Sequence, residues 1–472
     1  MNDLQFETPF ELENAALDDG FNPPLHLRYI EKAILQTLAE PSGRLIINMP
    51  PRHGKSELAS VWLPAWFLLS YPEKRVILAS YGSNLSNLFG RRVRDIVKEI
   101  APRFYGMKLD AGNKSMSEFS LEGHSGYIKA VGVEGPVTGR GADLIIVDDP
   151  IKNGADANSP RMRENLYEWF RSTLLTRLEP GGAIVIVMTR WHEDDLSGNL
   201  IRDDSNKLWK QISIPAIASE GCPLGRRTGE ALWHERYDID ALEEIRTSIG
   251  SYWFESQYNQ NPQKAEGGIF KKEYFHYYRR NDDELIFDDK SGSRNTVRNA
   301  QLRNYITCDL AVKTSAESDY TVMAVFSADT HGNIFVRDVV RTKCSTLQHI
   351  ELLKELYSLW KPDLIGIESV QYQYSLVETA LAEGLPVKAL AAKENKLMRF
   401  IPAAAKAEAA KLFFPFGASW LEPVQNEILA FPNSPHDDVV DCFSYMTEIV
   451  PVTLSSIMPY GRRSRAAGSL FY

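Results

Sequence analysis

Gly54, Lys55 and Ser56 close the stretch "MPPRHGKS" as a phosphate-binding loop G-x-x-x-x-G-K-[ST] closes, with Met49 where the leading glycine stands. Such a loop works because backbone N–H groups at a strand-to-helix turn cradle phosphates, a lysine bridges the β- and γ-phosphates, and a hydroxyl holds magnesium. Arg52, His53, Gly54, Lys55, Ser56 and Glu57 are therefore the candidate ATP-binding residues. A chance Gly-Lys-Ser in a loop has the same letters. The next candidates separate the two readings: "ADLIIVDDP" ends an apolar run on Asp148 and Asp149, where the first carboxylate orders the magnesium shell and the second acts as base towards water. A third run, "AIVIVMTR", ends on Thr189 and Arg190 at the same expected edge, with Thr189 placed to sense a γ-phosphate. Positive charge for the transition state, worth about 10³-fold or more in rate, can come from Arg52 within the loop or from Arg140 in "VTGRGADL", the latter offered to a neighbouring subunit of a ring.

A second set of carboxylates lies far along the chain. Asp309 interrupts "YITCDLAV", Glu368 ends "LIGIE", and Asp437, Asp438 and Asp441 open the segment "HDDVVDCFSYM", each among apolar neighbours. Converging carboxylates cancel their burial penalty by binding divalent cations, and hard oxygen ligands without a His/Cys cluster favour magnesium or manganese. Two such ions about 4 Å apart clamp the attacking and leaving oxygens of a phosphodiester, which is nuclease chemistry. Asp309, Glu368 and Asp438 are the expected core of that site, with Asp437 and Asp441 as further metal candidates and Asp319 a fourth, weaker position. For Asp438 and Asp441, favouring the dipole of a helix start is the competing explanation.

These residues need elements to hold them. From residue 44 to about 216, the apolar runs "RLIINM", "RVILAS", "LIIVDD" and "AIVIVMT" alternate with helical patterns, which predicts an α/β domain with a mostly parallel sheet over residues 1–262. Residues 263–300, with the charged stretch "RRNDDELIFDDKSGSRNTVRN", are expected to form a linker or hinge. Beyond it "NYITCDLAV", "YTVMAVFSAD" and "NIFVRDVVR" read as three meandering strands followed by β/α units, a ribonuclease-H-like frame over residues 301–450. Residues 451–472 carry Arg462, Arg463 and Arg465 and no acidic residue, a cationic tail suited to docking.

Length and composition agree with two domains: 472 residues, 44% hydrophobic and 24% charged. No apolar run reaches membrane-spanning length, the start has no signal-peptide core, and a cytosolic protein is expected. The four cysteines, Cys222, Cys308, Cys344 and Cys442, form no C-x-x-C pair, which argues against zinc or a disulfide framework. A net charge of −9 does not announce a nucleic-acid binder, but metal-holding carboxylates count against a surface that is basic elsewhere.

Taken together, "PPRHGKSE", "GRGADLIIVDDP", "TRWHEDDL", "SQYNQNP" and the acidic set Asp309, Glu368 and "HDDVVD" resemble the large terminase subunit of tailed bacteriophages over residues 20–450. The resemblance implies an ATPase that pumps double-stranded DNA through a portal protein into a procapsid and a nuclease that cuts the concatemer. It further implies ATP and magnesium as cofactors, a small terminase subunit as partner, a homo-oligomeric ring during packaging, and the host cytoplasm as location. The family tolerates a replaced first glycine. It usually has Asp-Glu where this chain has Asp148-Asp149, so the base here is the shorter carboxylate. "NPPLHLRYIEK" stands where relatives contact adenine, but without the usual glutamine, which leaves His26 and Arg28 as loose candidates. A repair or helicase-type ATPase fused to a resolvase-like nuclease is the alternative; it would normally carry a second set of motor motifs, and none follows Thr189.

Overall fold

The computed structural model describes residues 5–17, 20–137, 139–263, 269–310, 320–344, 346–369, 374–392, 394–434 and 436–451. Asp319 and the arginines Arg462, Arg463 and Arg465 lie outside the described residues. The chain divides into two compact units, Met1–Lys264 and Ala265–Tyr472.

The first unit is built on eight strands: β1 Arg44–Asn48, β2 Val76–Ser80, β3 Leu109–Lys114, β4 Glu118–Leu121, β5 Tyr127–Gly132, β6 Ala142–Asp148, β7 Leu178–Met188 and β8 Lys210–Ser213. Their order is β3-β4-β5-β2-β6-β7-β1-β8. The six strands from β5 to β8 in that order run parallel, while β3 and β4 are antiparallel additions at one edge. Helices cover both faces, so the central strands are buried throughout and read as unbroken apolar runs. On one face the helix Ser83–Ile100 turns Phe89, Val93, Val97 and Ile100 inward, a spacing of three and four residues. The helical run that follows β1 is buried on every side from Leu58 to Leu69, and its turn Leu58–Trp62 is widened to π-type hydrogen bonding.

In a parallel sheet all carboxyl ends lie along one edge. Lys55 follows β1, Asp148 ends β6 and Thr189 follows β7, so three sequence-distant groups share that edge. Arg140 precedes β6 and therefore lies at the opposite edge.

The second unit carries nine strands: β9 His276–Asn281, β10 Glu284–Asp288, β11 Arg294–Arg298, β12 Arg303–Asp309, β13 Thr321–Ala328, β14 Ile334–Thr342, β15 Leu364–Glu368, β16 Val387–Leu390 and β17 Leu412–Pro415. Their order is β11-β10-β9-β17-β14-β13-β12-β15-β16. The β12–β14 meander is antiparallel, and β15 pairs parallel with β12. The carboxyl ends of β12 and β15 thus bring Asp309 and Glu368 side by side. The helix Asp438–Ile449 packs on this sheet, with Thr307 Oγ1 donating to the carbonyl of Cys442 at 2.9 Å.

The expected hinge over 263–300 is corrected here. Residues 276–298 form β9, β10 and β11, which extend the second sheet rather than bridge two domains. Tyr278, Leu285, Phe287 and Val297 alternate inward onto Phe335 and Phe413. Because only one face of this edge is covered, many outward positions, such as Arg279, Glu284, Asp288 and Arg298, are charged, and the stretch reads as a polar connector.

Candidate functional site

The first constellation forms around the ammonium of Lys55. Gly54 adopts φ +88, the left-handed conformation that favours glycine, and a Cβ there would press on the Leu27 methyl at 2.9 Å. The turn delivers Lys55 Nζ to 2.9 Å from Thr189 Oγ1 and 3.0 Å from Asp149 Oδ2. Asp149, itself at φ +39, accepts the backbone N–H of Thr189 at 2.7 Å through its other oxygen. Asp148 is wholly buried and accepts Ser56 Oγ at 3.0 Å and Ser60 Oγ at 2.7 Å. Burial, then the neighbouring Asp149, raises its pKa above the ordinary carboxylate range, while Lys55 and the two hydroxyls oppose the shift. A buried carboxylate in that condition, beside the loop hydroxyl, fits a hydrated divalent cation.

Around this centre the remaining candidates part company. Arg52 is exposed in the loop at φ +62. His53 is buried beneath it: Nδ1 contacts the Pro51 carbonyl at 2.8 Å and the ring stacks on Tyr237 at 5.1 Å. Glu57 is gripped by Arg92 through two contacts of 2.6 and 2.7 Å, which removes its carboxylate from the phosphate ligands. His26 is equally buried, with Nε2 3.0 Å from the His53 carbonyl, so it buttresses the loop and does not face a base. Arg28 is exposed. Burial lowers the His26 pKa to about 4 and the His53 pKa to about 3. Arg140 pairs with Glu118 at 2.6 Å and lies over the Tyr127 ring, and the length of β6, about 20 Å, separates it from Asp148.

The second constellation gathers Asp309, Glu368 and Asp441, whose carboxylate oxygens lie within 4.8 Å of one another. The helix supplies its acids unequally. Asp441 points into the cluster and is held by Lys396 Nζ at 2.7 Å and Arg399 Nη2 at 2.6 Å. Asp438, the residue expected there first, is buried beside it and accepts the Tyr320 N–H at 3.2 Å. Asp437 is drawn outward by Lys396 at 2.5 Å and is absent from the cluster of three. Burial, followed by the charges of Glu368, Asp441 and Asp438, pushes the Asp309 pKa well up. Mutually repelling buried carboxylates of this kind are the donor set for hard divalent cations.

The comparisons with known proteins agree with this division. A family model described as terminase large subunit, T4likevirus-type, N-terminal, matches residues 46–276, and one described as terminase RNaseH-like domain matches residues 306–448. The chain belongs to the terminase large-subunit family. Among curated terminase large subunits, that of Escherichia phage T5 is 20% identical over 347 residues, covering 72% of this chain and 70% of its own. That of Enterobacteria phage T3 is 24% identical over 241 residues, covering 45% of this chain and 40% of its own. Among solved structures, the large terminase of a thermophilic bacteriophage in complex with ADP aligns with 87% of this chain and 94% of its own, at 12% identity and a TM-score of 0.46. Like other terminase large subunits, this protein joins an ATPase to an RNaseH-like nuclease. Among its described residues no helix is long and apolar enough to cross a membrane.

Several supporting residues escaped the sequence reading. Ser60 reaches Asp148 because the widened helical turn carries it there, and one serine among apolar neighbours gave no signal. Arg190, which the sequence placed with Thr189 at the end of the same run but gave no role, is paired with wholly buried Asp195 at 2.8 Å and donates its backbone N–H to Gln260 at 3.1 Å. Lys396 and Arg399 open the helix Lys396–Glu408, and their pairing with Asp437 and Asp441 is a tertiary fact.

Proposed function

We propose that this terminase is the motor and the scissors of viral DNA packaging: ATP hydrolysis in the first unit drives double-stranded DNA into a procapsid, and the second unit cuts concatemeric DNA at the start and end of packaging. The observation carrying this is the presence, on one chain, of the Lys55–Asp149–Thr189 constellation and the Asp309–Glu368–Asp441 cluster in separate compact units.

In the ATPase, magnesium supplies charge neutralisation on the phosphates. Lys55 and the loop N–H groups hold the β- and γ-phosphates, and Ser56 and Asp148 hold the ion's coordination shell. Asp149 takes the proton of the attacking water, and Thr189 registers the departing phosphate through Lys55. Arg52 is the finger available in cis. Arg140 stands at the far sheet edge and serves a neighbouring subunit, which makes a homo-oligomeric ring the working form.

In the nuclease, Mg²⁺ or Mn²⁺ supplies a clamp on both sides of the phosphodiester. Asp309, Glu368 and Asp441 would hold the ions, and buried Asp438, whose charge also raises the Asp309 pKa, would be the further ligand of a two-ion site. Portal protein and small terminase subunit are the expected partners, and the host cytoplasm the location. The test is nuclease protection: the protein with empty procapsids and ATP should render added DNA resistant to nuclease, and DNA left digestible with ATP present defeats the packaging reading.

A further inference from the structure

The two oxygens of Asp441 are taken by two different cations. Arg399 Nη2 lies 2.6 Å from Oδ1, and Lys396 Nζ lies 2.7 Å from Oδ2. Lys396 also reaches Asp437 Oδ1 at 2.5 Å, so a single ammonium spans both carboxylates. The helices arrange this: Asp437 and Asp441 are one turn apart, joined by the Asp441 N–H to the Asp437 carbonyl at 3.2 Å, while Lys396 and Arg399 share a face of the helix Lys396–Glu408.

The two cations are not equally free to move. Arg399 has a side chain only 7% exposed, and its Nη1 is 3.9 Å from Glu368 Oε1. Its guanidinium lies 4.9 Å from the ring centroid of Tyr445, whose hydroxyl donates to the same Glu368 oxygen at 2.7 Å. Arg399 is built in. The Lys396 side chain is 40% exposed on a flexible stem, and its second partner, Asp437, is 39% exposed. Leaving Asp441 would cost Lys396 one contact and keep the other. Asp441 shares the cluster with Asp309 and Glu368, so an ion held by all three needs an oxygen of Asp441. A dication on that carboxylate and an ammonium against it repel each other.

We propose that Lys396 competes with a divalent ion for Oδ2 of Asp441, and that Asp437 is the carboxylate to which the ammonium withdraws. The competition rests on the reading of this cluster as the metal site of the nuclease. It makes Lys396 the residue that sets how much metal the site requires. It also gives Asp437 a task outside the ligand set.

The experiment uses the full chain without DNA or nucleotide, with Mn²⁺ as the probe. Lys396→Met, Lys396→Gln, Asp437→Asn and a Lys396→Met/Asp437→Asn double variant are titrated calorimetrically, and thermal unfolding without metal checks that each is folded. Both Lys396 variants should tighten Mn²⁺ binding about fivefold, the weight of one partly exposed charge contact. Asp437→Asn should weaken binding by a similar factor, and that loss should shrink to within about twofold in the double variant, where no ammonium is left to withdraw. The Mg²⁺ concentration that half-saturates plasmid nicking should fall in Lys396→Met by the same factor as the Mn²⁺ Kd. A lysine that only pins two helices together gives the opposite sign. Mn²⁺ binding that is unchanged or weaker in the folded Lys396 variants overturns the competition, and should one of the two not fold, the other decides. A parent that binds Mn²⁺ but never cuts removes the nuclease reading alone, and the sign of the change in Kd still decides the role of Lys396.

Discussion

Thr189 donates its backbone N–H to Asp149 Oδ1 at 2.7 Å, so the group placed to sense the γ-phosphate and the group placed to activate water are tied together. Lys55 contacts both, through Thr189 Oγ1 and Asp149 Oδ2. A change at the phosphate that draws Lys55 away therefore loosens two partners at once. Asp149 keeps φ +39, a conformation that asparagine also tolerates. Asp149→Asn thus removes the base without disturbing the turn. The expected outcome is a fall of about 10²- to 10⁴-fold in kcat, the usual weight of a positioned base, with KM for ATP little changed. Phosphate release and nucleotide binding measured on the same preparation check it; near-normal kcat would return the base role to another group.

Arg140 gives a prediction about assembly. Its side chain lies with Glu118 and Tyr127 at the amino edge of the sheet, a strand length from the Lys55 centre of its own chain. Arg140→Ala and Lys55→Ala should each be inactive as assembled proteins. A mixture should recover part of the turnover, because interfaces form in which one variant supplies the arginine and the other the intact loop. Full activity of Arg140→Ala alone in the assembled motor assigns the finger to Arg52.

How far these sites could be read in advance follows from what is local. The phosphate loop, Asp148, Asp149 and Thr189 each end a buried parallel strand, and such strands announce themselves as unbroken apolar runs. Asp309 and Glu368 were legible for the same reason. The choice among Asp437, Asp438 and Asp441 was not, since it depends on the rotation of one helix against the sheet and on Lys396 and Arg399 arriving from another. Residues 276–298 were misread because an edge covered on one face leaves many of its outward positions charged. Arg140 could be named from its glycine-flanked loop, but only the strand order puts it at the far edge.

The buried histidines make the first unit acid-sensitive. In the folded chain His26 and His53 are held neutral down to about pH 4 and about pH 3, whereas an unfolded histidine takes up its proton near pH 6.5. The unfolded state thus binds more protons as pH falls below about 6.5, and stability is lost on acidification through that window. Each histidine should contribute a loss of about 2 kcal/mol between pH 7.5 and pH 5. Urea unfolding followed by tryptophan emission measures this. His53→Phe should roughly halve the loss, and an identical loss in parent and variant refutes the assignment.

The nuclease cluster yields a prediction about ion count. Asp309 lies in the cluster with Glu368 and Asp441, and after burial its pKa is raised by Glu368, Asp441 and Asp438, so on the two-ion reading it is the carboxylate that both ions would share. Replacing it by asparagine keeps the shape but removes the charge that offsets repulsion between two dications. Asp309→Asn should therefore bind neither Mn²⁺ ion measurably, while Asp438→Asn should keep one and Asp441→Asn or Glu368→Gln should lose the other. Cutting should fall about 10²-fold or more in all four, since each removes part of the charge that stabilises the transition state. Asp437→Asn should cut nearly as the parent does, because its carboxylate is engaged by Lys396 outside the cluster of three. Calorimetric titration with Mn²⁺ gives the count and plasmid nicking gives the rates. If Asp309→Asn still binds two ions, or cuts at the parental rate, the shared-carboxylate arrangement is wrong and Asp438 becomes a helix-start residue with no metal to hold.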